Sequence, residues 1–306
     1  MGYRFKKFFV ENEIKLFLFL MRNFNISQGQ AQRMIDKKRV YQNKKPLTDK
    51  KATVYGEVDI LVFEPITKGL KPIFETKDFA IFDKPSGLIV HPRNKKRSYS
   101  VLDEARAYLG KDANIIHRID LETSGLIIVS KHKECEKYLK KCFENRSIKK
   151  EYIALAKGEI KRDILIDEPI KKNSDFTNIR LKVLIDKSGK HAQTLVMPLK
   201  YYQKIDSTLV KIIPYTGRQH QIRIHLFHVK HPIVGDPIYG VSTESAIRYL
   251  DGVMDCNERI KVSGHSRLML HANYLEFEYK SIKYKIFSKM DFNKEIKKVI
   301  SRGSIF

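Results

Sequence analysis

The apolar positions of this chain group into short strands and a few helices, broken by charged and glycine-bearing turns. Near the start, Ile14, Leu16, Phe17, Leu20 and Met21 repeat at helical spacing. Ser27 stands three residues before Gln30, the spacing of a capping box, and Ala31, Met34 and Ile35 follow as an apolar stripe. Residues 1–11 are basic and aromatic and read as a loose arm. Residues 56–63 close this block as a strand, and 66–72, with Gly69 and Pro72, read as a linker. The expected division is a small module at 12–66 and a larger body at 73–306. In the body, 79–82 reads as a strand, Asp83-Lys84-Pro85-Ser86-Gly87 as a turn, and 88–92 as a resumed extended run. Cys135, Leu139, Cys142 and Phe143 share one face of a helix over 134–145, which places both cysteines toward the core. Residues 149–156 read as a strand. Residues 160–189 are charged and irregular, and 192–199 with 208–213 form a hairpin. Residues 241–264 read as a loop or short helical insert, and 282–287 as a last strand before a basic terminal helix.

One stretch, 114–131, carries a sharper pattern. Ile115 and Ile116 lead into His117-Arg118-Ile119-Asp120, then Glu122, Thr123, Ser124 and Gly125, then the apolar run 126–129. This reads as strand, polar loop, strand, with Gly125 free to turn without a Cβ penalty. Such a loop presents one arginine and one carboxylate from a rigid support. Taken alone, Asp120 is better read as a turn cap paired with Arg118 at the surface than as a catalytic group.

Charge narrows the partners. Lys and Arg number 59 against 35 Asp and Glu, a formal net charge of +24 in 306 residues, of which 42% are hydrophobic. The chain has apolar residues enough for real cores, and its excess of cations suits a polyanion bound through phosphates. The apolar patch 16–21 is too short, and too close to Lys15 and Arg22, to span a bilayer. Cys135, Cys142 and Cys256 make neither a metal spacing nor an even disulfide set, so a reduced, cytoplasmic protein is expected. His220, His225, His228 and His231 fall on different helix faces without a completing cysteine or carboxylate. They are expected to be hydrogen-bonded supports, and no metal is expected.

His117-Arg118-Ile119-Asp120 with Thr123-Ser124-Gly125-Leu126 resembles the signature of the RluA family of RNA pseudouridine synthases. Further motifs resemble the same family: Lys84-Pro85-Ser86-Gly87, Lys150-Glu151-Tyr152-Ile153-Ala154, and the unbroken run Thr216-Gly217-Arg218-Gln219-His220-Gln221-Ile222-Arg223-Ile224-His225. His231 to Gly240 and Leu270-His271-Ala272 complete the likeness, which covers nearly the whole chain. Residues 12–66 resemble the small alpha-L RNA-binding domain, without its usual Arg-Leu-Asp at the first helix. The resemblance implies an α+β fold, a mainly antiparallel mixed sheet with packed helices, and an isomerisation of uridine that needs no cofactor. It implies Asp120 as the catalytic residue, Tyr152 stacked on the uracil, and Arg218 beside Asp120. It also implies that Arg118 fills the space left by the extruded base. Lys84, whose motif is expected to brace the Asp120 loop, and His117 are counted with Arg118 among candidate RNA contacts. Arg33, Lys37, Lys38 and Arg39 crowd one helix and its exit and are expected to dock RNA. Large-subunit ribosomal RNA is the expected target and transfer RNA the second choice, for a monomer. The competing reading is a basic RNA-binding or ribosome-assembly protein in which chemistry is dispensable. Asp120, Tyr152 and Arg218 argue for the enzyme, because binding alone does not need a carboxylate where it repels phosphate.

Overall fold

The computed structural model describes residues 3–92, 99–173 and 183–301, so the basic run Arg93, Lys95, Lys96 and Arg97 lies outside the described residues. The chain divides into two compact units. One is made by the described residues of Met1–Gly69 and His91–Ala107, the other by those of Leu70–Val90 and Tyr108–Phe306.

The first unit holds β1 (Tyr3–Lys15), α1 (Leu16–Phe24), α2 (Gln28–Asp36), β2 (Val40–Gln42), β3 (Lys45–Pro46) and β4 (Thr53–Phe63). Its sheet runs β1-β4-β2-β3, with β1 antiparallel to β4 from Tyr3↔Phe63 to Lys15↔Thr53. The first residues are therefore a strand and not a loose arm. The alternation of β1 explains this: Phe8 and Val10 pack into a core with Leu16, Leu20, Ile35 and Ile60, while Phe5 and Phe9 stay exposed. The capping box is present, with Ser27 Oγ accepting from Gln30 N–H and Gln30 Oε1 accepting from Ser27 N–H. Residues 99–107, mostly in α3 (Val101–Leu109), belong to this unit. Glu104, buried, accepts from Thr67 Oγ1 and Lys68 N–H, both at 2.6 Å, and from Tyr99. The Arg106 guanidinium lies 5.0 Å from the centre of the Phe63 ring. This helix is not among the elements that the sequence pattern announced.

The second unit contains β5 (Pro72–Glu75), β6 (Phe79–Lys84), β7 (Asn114–Ile115), β8 (Ser124–Ser130), α4 (Lys133–Glu144) and β9 (Lys149–Lys157). The short strands β10 (Ile164–Asp167), β11 (Ile170–Lys172) and β12 (Val183–Ile185) follow, so the stretch expected to be irregular carries sheet structure. Then come β13 (Gln193–Tyr202), β14 (Ser207–Pro214), α5 (Gln221–His228), α6 (Thr243–Leu250), α7 (Cys256–Ser263), β15 (Leu270–Tyr279), β16 (Ile282–Phe287) and α8 (Phe292–Ser301). The main sheet runs β10-β13-β14-β9-β15-β8-β6-β5, with β16 on β15 and β7 on β8. Every pair in it is antiparallel except β8 with β15. The fold is α+β, as expected. Every residue of β8 is buried, which matches its unbroken apolar run. The close β8–β15 approach needs Gly125: at φ +114°, a Cβ there would lie 2.3 Å from Ala272 O. Residues 88–92 do not form a strand. Among the described residues, no helix is long and apolar enough to cross a membrane.

Candidate active site

Asp120 lies on the loop between β7 and β8, and the surrounding chain pins that loop from several sides. At its start, Ile116 N–H donates to Ile128 O, and His117 Nε2 accepts from Ile128 N–H at 3.1 Å. Beyond Asp120, Leu121 O accepts from Gly87 N–H and from Lys84 Nζ, and Glu122 O accepts from Ser86 Oγ at 2.6 Å. The turn Lys84-Pro85-Ser86-Gly87 thus braces the Asp120 loop. Glu122, itself buried, accepts from Tyr249 Oη at 2.5 Å and from Arg259 Nη2 at 2.7 Å. Burial alone would raise the Glu122 pKa, but Arg259 and Tyr249 outweigh it and hold the carboxyl below its usual range.

The Asp120 side chain stays 27% exposed, and the guanidinium beside it belongs to Arg223. Arg223 Nη1 stands 3.4 Å from Asp120 Oδ2. Arg223 is buried and gripped by Asp236, with Nε donating to Oδ2 at 2.7 Å and Nη2 to Oδ1 at 2.8 Å. Asp236 Oδ1 also accepts from Ile238 N–H and Tyr239 N–H, and the Tyr239 ring centre lies 5.1 Å from the Arg223 guanidinium carbon. Burial opposes both charges, yet each partner outweighs it for the other: Asp236 is held below the usual carboxylate range and Arg223 above the usual arginine range. The planar fork has two prongs committed to Asp236, leaving the third nitrogen for Asp120.

Arg218 does not occupy the position expected for it. Its Nε donates to His191 O at 3.0 Å and its N–H to Gln221 Oε1, although it lines the same cavity. The reason is local. The Thr216-Gly217-Arg218 turn precedes α5 and leaves Arg218 half-buried, whereas Arg223 sits within α5, whose residues Gln221 to Leu226 are all buried. Lys84, expected among the RNA contacts, is placed differently as well. It is fully buried and its ammonium donates to Pro85 O, Leu88 O and Leu121 O at 2.8–3.0 Å. His117 is a support behind the loop, its ring stacked on Phe143 at 4.5 Å. Burial, reinforced by the positive charge of Lys150, pulls its pKa down to about 3. Of the helix residues expected to dock RNA, Arg33, Lys37 and Lys38 are exposed, while Arg39 donates to Tyr3 Oη at 2.8 Å and covers its ring. Three of the four histidines expected to be supports are hydrogen-bonded: His225 bridges Thr194 Oγ1 and Glu168 O, His231 Nδ1 donates to Lys157 O, and His220 pairs with Tyr239 Oη, while His228 Nε2 stands 4.0 Å from Glu168 Oε1.

Asp120, Tyr152, Arg118, Arg218 and Arg223 line one cavity of about 540 Å³, within the range of small-ligand sites. Tyr152 comes from β9, and both burial and the Asp120 carboxylate push its hydroxyl pKa up, so it enters the cavity protonated. A phenol ring and a carboxylate meet there, with a guanidinium behind the carboxylate. This arrangement can seat a planar base on the ring and bring an anionic oxygen to its sugar or its carbon skeleton. The sequence pattern led to Asp120 and Tyr152 but left Arg223, Asp236, Glu122 and Arg259 without roles. The signal that was there is Asp236, an acid between Gly235 and Pro237 in an apolar run, which demands a buried partner.

Comparison with known proteins gives the chain its family. Residues 78–228 match the family model described as RNA pseudouridylate synthase. An uncharacterized RNA pseudouridine synthase of Helicobacter pylori strain J99 is 40% identical over 289 residues, which span 92% of this chain and 96% of that protein. A ribosomal large subunit pseudouridine synthase C of Buchnera aphidicola is 36% identical, over 71% of this chain and 65% of its own. The mitochondrial tRNA pseudouridine(32) synthase of Saccharomyces cerevisiae is 34% identical, over 57% of this chain and 38% of its own. The solved structure of human RNA pseudouridylate synthase domain containing 1 shares the fold, with a TM-score of 0.60 at 24% identity over 79% of this chain and 91% of that one. With its motifs, its fold and a 40% identical relative aligned over nearly its full length, the chain belongs to the RNA pseudouridylate synthase family and is an RNA pseudouridine synthase.

Proposed function

We propose that this enzyme isomerises specific uridines in large-subunit ribosomal RNA, with Asp120 as the catalytic residue. The observation that carries the reading is the Asp120–Arg223–Asp236 arrangement beside Tyr152 in one cavity. A protein that only binds RNA gains nothing from a carboxylate among cations. An enzyme that must break a bond from nitrogen to ribose and rejoin the base through carbon 5 needs an ionised group held at the sugar. Arg223 Nη1, 3.4 Å from Asp120 Oδ2, fixes the direction of that carboxylate. The target nucleotide leaves its stack to reach the cavity, Tyr152 stacks on the uracil, and Arg118, exposed at the rim, fills the vacated space. No redox step or group donor enters this isomerisation, and the reading assigns no cofactor or metal.

The ribosomal target is favoured by the net charge of +24 and by the first unit, whose α2 and the turn that follows it present Arg33, Lys37 and Lys38 to a structured RNA. The enzyme acts as a monomer in the cytoplasm on this reading. The test is pseudouridine mapping in total RNA from a strain lacking the protein, and from that strain carrying the parent or Asp120→Asn. Sites in large-subunit ribosomal RNA should vanish with the gene, return with the parent, and stay absent with Asp120→Asn. Loss confined to transfer RNA would move the target, and restoration by Asp120→Asn would end the catalytic assignment.

A further inference from the structure

We propose that Lys150 and Arg146 form a phosphate subsite at the edge of the Asp120 cavity, receiving a phosphodiester of the RNA strand that enters it. The inference rests on the RNA reading above and adds to it a pair of residues that the isomerisation itself does not use.

Lys150 stands two residues before Tyr152 on β9, so both side chains leave the same face of the strand. Both line the cavity, as does Arg146. The Lys150 ammonium sits by the Thr216-Gly217-Arg218 turn, where a Cβ added to Gly217 would lie 4.0 Å from Nζ. Among the described residues no carboxylate pairs with Lys150, although burial pulls its pKa down and the like charge of Arg146 pulls it further. Glu144 lies on the same rim and pairs with neither cation. A half-buried cation with no counter-charge is unfavourable in the free protein. It is matched only when an anion arrives from outside.

Arg146 shows the same imbalance in its backbone. It follows the end of α4, where Ser147 N–H bonds to Cys142 O at 2.9 Å and Arg146 N–H to Phe143 O at 3.2 Å. That closes the helix with a residue in the left-handed region, and Arg146 has φ +58°. Glycine is the favoured residue there. Two neighbouring positions thus hold cations where folding alone would select an apolar residue and a glycine. Two cations that line the Asp120 cavity and act on each other, with no Asp120 charge among the causes that shift Lys150, fit a phosphate held away from the reacting carboxylate.

The experiment uses the full chain and a short single-stranded oligouridylate, with fluorescence anisotropy at a series of salt concentrations beside thermal unfolding. Lys150→Met should keep or raise the melting temperature. It should weaken oligouridylate binding by about 10-fold at low salt, as expected for one charge-assisted contact, and make the salt slope shallower by roughly 0.7. Lys150→Arg should restore most of the affinity. Arg146→Gly should raise the melting temperature while also weakening binding. An oligouridylate carrying one neutral methylphosphonate link at the contacted position should bind the parent and Lys150→Met alike. Parental affinity and slope in Lys150→Met would overturn the subsite, as would a melting temperature that falls in step with affinity. Failure of the parent to bind the oligonucleotide would overturn it too. Pseudouridine formation on ribosomal RNA is scored separately: its absence removes the catalytic reading and leaves the binding result standing.

Discussion

Arg223 Nη1 lies 3.4 Å from Asp120 Oδ2, while the other two guanidinium nitrogens are held by Asp236 at 2.7 and 2.8 Å. The cation beside the candidate catalytic carboxylate is therefore fixed before any RNA arrives. It is a helix residue aimed by a buried acid, not a surface arginine drawn in from the turn.

This separates two arginines five residues apart in one motif. Arg223→Gln should destabilise the protein by about 3–5 kcal/mol, because Asp236 would remain buried without its partner. Arg223→Lys should retain more stability but lose the forked geometry, with single-turnover pseudouridine formation falling about 100-fold for a misaimed group. Arg218→Lys should change stability by less than about 0.5 kcal/mol, as for a surface site, and slow the reaction far less. Urea unfolding beside single-turnover kinetics checks all three. A larger rate loss in Arg218→Lys than in Arg223→Lys would return Arg218 to the role that the motif suggested.

Why one arginine was legible and the other was not is a matter of periodicity. Ile222 and Leu226 mark a buried face on α5 by their spacing, and Arg223 lies off that stripe, where a solvent-facing residue is expected. In the folded chain all of Gln221–Leu226 is buried, so the stripe carries no directional information. Lys84 misleads in the same way, since a lysine in a turn reads as exposed until three carbonyls are seen around it. Conversely, β8, the Ser27 capping box and the hairpin of β13 and β14 were readable because each is decided by residues near one another in sequence. Strand β1 was missed because its partner, β4, begins 38 residues after it ends, and a basic aromatic run shows its apolar side only once that partner is known.

Lys84→Met should leave RNA affinity untouched, since the side chain is fully buried. It should remove the Lys84 donor from Pro85 O and Leu88 O, while Leu121 O keeps Gly87 N–H, costing roughly 2 kcal/mol or more at about 1–3 kcal/mol per orphaned group. Leu121 adjoins Asp120, so the reaction rate should fall as well. Filter binding, urea unfolding and kinetics on the same preparation provide the check. Weaker binding with unchanged stability would mean that Lys84 meets RNA after all.

Acid should unfold this protein through two neutral histidines. Burial and the nearby Lys150 take His117 down to about 3, and burial with Arg267 does the same to His271. Both folded values lie below the ordinary value of about 6.5. The unfolded chain therefore binds protons that the native chain refuses as pH falls from about 6.5 toward 3. Stability from these sites is complete above that window and is lost through it. The urea midpoint should drop between pH 7 and pH 4.5. His117→Gln, whose side-chain oxygen can still accept from Ile128 N–H, should show a smaller drop. Equal pH dependence in parent and variant would exclude His117 as a contributor.

Glu122 ties the Asp120 loop to the helical insert, and the tie is testable as an energetic unit. Its carboxylate receives Tyr249 Oη from α6 and Arg259 Nη2 from α7, and the same Arg259 nitrogen donates to Gly235 O at 3.0 Å. Gly235 immediately precedes Asp236, the residue that aims Arg223. One buried cation thus connects the loop bearing Asp120 with the segment bearing its counter-ion's anchor. Glu122→Gln should leave Arg259 buried without a neutralising charge, at a cost of about 3 kcal/mol, and should lower the single-turnover rate while RNA affinity holds. Arg259→Met alone should strand Glu122 in the same way. Together, Glu122→Gln and Arg259→Met should cost less than the sum of the two by about 1 kcal/mol or more, since each removes what makes the other harmful. A double-mutant cycle in both unfolding free energy and single-turnover rate makes the measurement. Additive losses in both would show that the insert and the loop are independent, and that Asp120 is held by the Lys84-Pro85-Ser86-Gly87 turn and Arg223 alone.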